Sequence, residues 1–100
     1  MTKTAEIVTF RLKPGTDPAA FAKAAQAMMP FLDSTGDMIA RTLSCDANGL
    51  WTDHIVWTNQ AAAEAAAKAM FKRPEAEPFM ALIDPEGMDM RHADIHLTPE

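Results

Sequence analysis

Residues 51–73 read WTDHIVWTNQAAAEAAAKAMFKR, and within them the side-chain period changes from two to about 3.6. The first half, Trp51 to Thr58, alternates as a strand does. It places Trp51, Asp53, Ile55 and Trp57 on one face and Thr52, His54, Val56 and Thr58 on the other. Asn59 then supplies a side-chain oxygen suited to capping the alanine-rich run that follows, and Pro74 ends it. A strand is thus predicted to pass directly into a helix with small side chains.

The same reading extends outward in both directions. AEIVTFRLK predicts a first strand from about Ala5 to Lys13, with Val8, Phe10 and Leu12 on one side and Ile7, Thr9 and Arg11 on the other. Asp17 and Pro18 are a cap and a first helical residue, and Phe21, Ala25, Met28 and Leu32 recur at helical spacing. Pro30 should kink or restart that helix. Residues 37–58 read as a hairpin, since Asp46, Asn48 and Gly49 supply the turn. After a short helical piece in EPFMALID and a break at Pro85 and Gly87, MDMRHADIHL alternates as a fourth strand.

The order β-α-β-β-α-β is the split βαβ pattern. It predicts an α+β, ferredoxin-like architecture: one four-stranded antiparallel sheet, strands one and three central, helices on one face only. The bare face is expected to carry Ile7, Ile39, Leu43 and Val56 among Thr9, Arg11, Arg41 and His54. A second copy of the chain is the natural cover for so apolar a surface. The expectation is therefore one domain over residues 1–100 that pairs as a homodimer, with His54 near the interface.

Charge and composition exclude several classes. Nine Lys and Arg against fourteen Asp and Glu give a net charge of −5, and only Lys72 and Arg73 are adjacent among the basic residues. Neither nucleic acid nor an anionic membrane is an expected partner. No apolar run of roughly 7–15 residues marks a leader and none reaches membrane-spanning length, which makes a cytoplasmic location the expectation. Cys45 stands alone, so no internal disulfide and no cysteine-based zinc site is expected, and it reads as a small buried or interfacial residue. His92 and His96 on a strand lie about 13 Å apart at about 3.3 Å per residue and cannot share a metal ion.

Three features resemble the dimeric α/β-barrel superfamily, which includes the antibiotic-biosynthesis monooxygenases and the haem-degrading monooxygenases. They are VTFRLKPG (residues 8–15), HIVWTNQAAAEAA (residues 54–66), and a length that holds one βαββαβ unit. The resemblance implies two sheets facing each other across a dimer, with a ligand pocket in each subunit between the sheet and its own helices. It places Trp57 at the position of a pocket tryptophan. Two further positions used in haem degradation fall on Val8 and Ala67, which carry neither the amide nor the histidine found there, so haem degradation is not expected. Relatives of the monooxygenase kind work without a bound cofactor. That suits a chain with no phosphate-binding glycine loop, no nucleophile elbow and no flavin motif, and no cofactor is expected here.

Within this frame Trp51 and Trp57 either fill a packed core beneath the alanines or wall a cavity, with Val8, Phe10, Met28, Met38 and Met70 as further lining. Asp53 faces the same way, and a carboxylate there must find a partner or shift toward its neutral form. It reads either as a solvated or Thr42-bonded residue or as a general base. His92, sharing a face with Met88 and Met90, either meets the polar end of the pocket near Asp53 or is structural. Two functions follow. The first is a cofactor-independent monooxygenase-like or isomerase-like enzyme for an aromatic or polyketide-like molecule, with Asp53 and His92 moving a proton. The alternative is a non-catalytic small-molecule-binding or stress-associated module of the same fold.

Overall fold

A computed structural model describes residues 2–99. The elements run β1 (Thr4–Leu12), α1 (Pro18–Gln26), α2 (Met29–Ser34), β2 (Met38–Cys45), β3 (Trp51–Trp57), α3 (Gln60–Met70), α4 (Ala76–Ala81) and β4 (Ile83–Asp94). The strands form one antiparallel sheet in the order β2-β3-β1-β4, so β1 and β3 are central as the crossover pattern requires.

Local chemistry accounts for the boundaries. The Asp17 carboxylate accepts from the Ala19 N–H at 3.0 Å, and the Asn59 side chain accepts from the Ala62 N–H at 2.8 Å, each satisfying an orphan donor of a first helical turn. Pro30 sits in the first turn of α2, and the helical stretch breaks between Gln26 and Met29. In the hairpin turn the Asp46 carboxylate accepts from the N–H groups of Asn48 and Leu50 at 2.8 and 3.0 Å, and Gly49 takes φ 82°.

The helices all pack on one face. Phe21, Ala25, Phe31, Leu32, Ala63, Ala66 and Phe79 meet Phe10, Trp51, Ile55 and Trp57 from the sheet in one apolar core. In β3 the burial alternates without a fault from Trp51 to Trp57, and the predicted parity of that strand holds throughout.

Three predicted details are corrected. Between Met38 and Ala40 the pairing of β2 with β3 slips by one residue, so that Arg41 lies opposite Ile55 and Leu43 opposite Asp53. This bulge turns Arg41 and Leu43 to the helix side, not the bare side, and leaves Ile39 exposed beside it. The bare face therefore holds Ile7, Val56, Ala5 and Ala93 among Thr9, Thr42, Thr52, His54 and Arg91, and is less apolar than expected. The fourth strand starts at Ile83 and ends at Asp94, so the Pro85–Gly87 stretch is an excursion within it: Arg11 pairs with Asp84 and Thr9 with Asp89. His96 falls beyond the strand. Cys45 is exposed. Among the described residues no helix is long and apolar enough to cross a membrane.

Candidate functional site

The alanines of α3 do what small side chains over a sheet must do: they leave space. A cavity of about 110 Å³ lies between the sheet and the helices. Its floor is Val8 and Phe10 of β1 with Ile55 and Trp57 of β3; its roof is Ala66, Ala67 and Met70 of α3. Met28, Phe31 and Leu32 close one side and Phe79 and Met80 another. Phe71, which is 74% exposed, joins the exposed Met88 and Met90 at the mouth.

Polar groups in this apolar wall are few, and each has a distinct situation. Asp53 is buried and bound by Arg41 through two bonds, Nε to Oδ1 at 3.0 Å and Nη2 to Oδ2 at 2.7 Å. The planar guanidinium fits a carboxylate in this forked manner, and the pair satisfies a charge that would otherwise be expensive to bury. Arg41 also donates to the Ala25 carbonyl at 2.7 Å in the last turn of α1 and lies 5.7 Å from the Phe79 ring centre. It thus ties β2 and β3 to two helices. Neither Thr42 nor solvent is the partner of Asp53, because Thr42 stands on the opposite face.

Glu6 is the second buried carboxylate of the lining, 7% exposed. It lies opposite Ile55 on one side and His92 on the other. His92 Nε2 stands 3.0 Å from Glu6 Oε2, with β1 separating His92 from Asp53. His92 does face the helix side with Met90, but it meets Glu6 and not Asp53.

Trp57 is 1% exposed, and its indole Nε1–H has no hydrogen-bond partner among the described residues. An orphaned buried donor costs about 1–3 kcal/mol. Among the buried polar side-chain atoms of the described residues it alone lacks a partner. Trp51, by contrast, is outside the cavity lining, packed edge-on against Phe21 with ring centres 5.0 Å apart. Met38 is also outside it, packed against the core beside Trp57. Val8, Phe10, Met28, Trp57 and Met70 line the space together with Asp53. Among the described residues no group of three or more His, Cys, Asp and Glu side chains could hold a metal ion.

Sequence reasoning missed Glu6 and Arg41. Glu6 shares the parity of Val8 and was there to be read. Arg41 was hidden by the bulge, which no residue type announces.

Four antiparallel strands with helices on one face define a ferredoxin-like α+β fold, and this is the fold of the antibiotic-biosynthesis-monooxygenase-like proteins. No family model and no curated protein matches the chain. Solved structures do. A variant of SnoaB, a cofactor-independent oxygenase from Streptomyces nogalater, is 19% identical with a TM-score of 0.78, covering 98% of each chain. A candidate antibiotic biosynthesis monooxygenase from Bordetella bronchiseptica has a TM-score of 0.81 at 13% identity, over 97% of this chain and all of that one. A protein of unknown function from Nitrosomonas europaea gives 0.72 at 17% identity, over 100% of this chain and 95% of that one. At such identities the likeness is one of fold.

Proposed function

We propose that this chain is a small cofactor-independent enzyme, monooxygenase-like or isomerase-like, acting on an aromatic molecule held between the sheet and its helices. The observation that carries the reading is the cavity between the sheet and the alanine helix, walled by Trp57, whose buried indole N–H has no partner among the described residues. A ring bearing a carbonyl or hydroxyl oxygen supplies both the flat apolar body and the missing acceptor. The volume of about 110 Å³ sets the scale. A cavity of roughly 150 Å³ accepts benzene. The space here is smaller than that, so a single ring would project in part through the mouth past Phe71 and Met88.

The chemistry needs no resident group. Loss of a proton from carbon beside the ring oxygen gives an anion delocalised onto that oxygen, where the Trp57 N–H stabilises it. Return of the proton to another carbon is isomerisation. Transfer of electrons to dissolved dioxygen, with formation of a C–O bond, gives a hydroperoxide. Loss of water from it leaves a carbonyl, so that one methylene group and one dioxygen become one carbonyl group and one water. SnoaB, with the same fold, is a cofactor-independent oxygenase, which supports this reading.

The binding-module reading also has an observation in its favour. Asp53, the expected base, has both oxygens engaged by Arg41, and in our proposal the pair holds the polar wall of the pocket instead of taking the proton. Oxygen uptake separates the two. With 2-indanone, whose methylene groups flank a carbonyl, the enzyme reading expects uptake well above the buffer rate, whereas tight binding without uptake supports the module. The proposal extends to a homodimer joined through the bare sheet face, where Ile7 and Val56 are only half-buried and Ile39 projects beside them. Sedimentation at micromolar concentration should give twice the chain mass, and a monomer there refutes the pairing.

A further inference from the structure

Of the two carboxylates in the cavity wall, one is closed and one is open. Asp53 presents both oxygens to a single guanidinium. Glu6 presents only Oε2 to His92, and among the described residues Oε1 accepts no hydrogen bond. Glu6 lines the cavity while His92 stands behind it, outside the lining, with its side chain 18% exposed. The carboxylate therefore lies between the cavity and a histidine that reaches solvent. Thr4 lies opposite Trp57 and Glu6 opposite Ile55, so Glu6 and Trp57 are diagonal neighbours on the same sheet face. Such neighbours stand about 7–8 Å apart. That is the spacing of their backbones, and both side chains line the cavity, so one small ketone can meet both, its oxygen at the indole and its α-carbon at the carboxylate.

We infer that Glu6 is the catalytic base of this pocket and that His92 is the residue that positions it. The inference rests on the pocket reading above and gives it the proton acceptor that Asp53 does not provide. In the step, the substrate α-C–H bond breaks, its proton forms an O–H bond with Glu6 Oε1, and the electron pair stays on the substrate as an enolate at Trp57. His92, bonded to Oε2, fixes the carboxylate orientation. A carboxylate held by a histidine on one oxygen keeps the other free to take a proton from a substrate within hydrogen-bond reach.

The test uses 2-indanone, an aromatic ketone with acidic α-hydrogens, and the full chain under nitrogen in deuterium oxide. Proton NMR follows loss of the α-hydrogen signal, tryptophan fluorescence follows binding, and circular dichroism confirms folding. The wild-type chain should exchange the α-hydrogens faster than buffer. Glu6→Gln, which preserves size, should slow the exchange by about 100-fold or more while binding changes little. His92→Leu should slow it too. His92→Gln, which keeps an N–H donor for Glu6, should restore most of the rate, a rescue that a merely space-filling histidine would not show. Binding without exchange, or a Glu6→Gln variant as fast as the parent, overturns the base assignment and leaves the pocket standing. Failure of the wild-type chain to bind 2-indanone at millimolar concentration overturns the pocket and the base together.

Discussion

Trp51 and Trp57 lie on the same strand, on the same face, six positions apart, and they live in different surroundings. Trp51 meets Phe21, which in turn meets Phe10 edge-on and stacks on Phe79 with ring centres 5.3 Å apart. That end of the sheet is filled by aromatic side chains from α1 and α4. Trp57 faces Ala66 and Ala67, and beside it the space is empty. Large residues opposite large ones make a core, whereas large residues opposite alanines make a cavity. The strand itself is indifferent to which it supports.

Four outcomes sharpen or break this contrast, the largest effect first. Trp51→Ala should destabilise the chain by about 3–5 kcal/mol in chemical denaturation, because Phe21 and the core beside it lose a large packing partner. Trp57→Ala should cost clearly less, under about 3 kcal/mol, since one face of the indole already borders empty volume and an unpaired donor disappears with it. Equal costs would mean that the two ends are packed alike. Trp57→Phe keeps an aromatic ring and removes only the N–H handle and some bulk. Its stability should stay within about 1 kcal/mol of the parent while affinity for 2-indanone falls severalfold. An unchanged affinity would detach the indole N–H from ligand binding.

The smallest effect concerns the turn that leads into the filled end. The N–H groups of Leu50 and then Asn48 hold the Asp46 carboxyl below the ordinary carboxylate range. A carboxyl with a lowered folded-state value contributes stability that is present above the unfolded range and is lost as pH falls through the folded value. Acidification, or Asp46→Ala at neutral pH, should therefore lower the protection of the Asn48 and Leu50 amides relative to the unstructured exchange rate at the same pH, while leaving the Trp57 end of β3 as protected as before. Loss of protection along the whole strand would show that the turn and the cavity end open as one unit.

The sequence made much of this arrangement legible because its strongest signals are local. Caps at Asp17 and Asn59, the Asp46–Gly49 turn and the alternation of β3 depend on a few neighbours, and local rules describe them well. The parity of β2 depends on how it registers against β3, a property of two segments that neither displays alone. Arg41 and Leu43 were accordingly assigned to the wrong side, and the partner of Asp53 went unseen. Pro85 and Gly87 resembled an end to regular structure, yet pairing with β1 resumes on both sides of them. Cavity volume was not legible at all, since it depends on how far α3 stands from the sheet.

The slip in β2 has a consequence for how such chains change over generations. Removing the extra residue, Ile39, would leave Met38 opposite Trp57, Ala40 opposite Val56 and Arg41 opposite Ile55, so the ladder would heal with the guanidinium still beside Asp53. A loss of three nucleotides at that point would spare the interior and take an exposed isoleucine from the outer surface. Exchanging Arg41 for an uncharged residue, by contrast, would leave Asp53 as a buried charge without its partner.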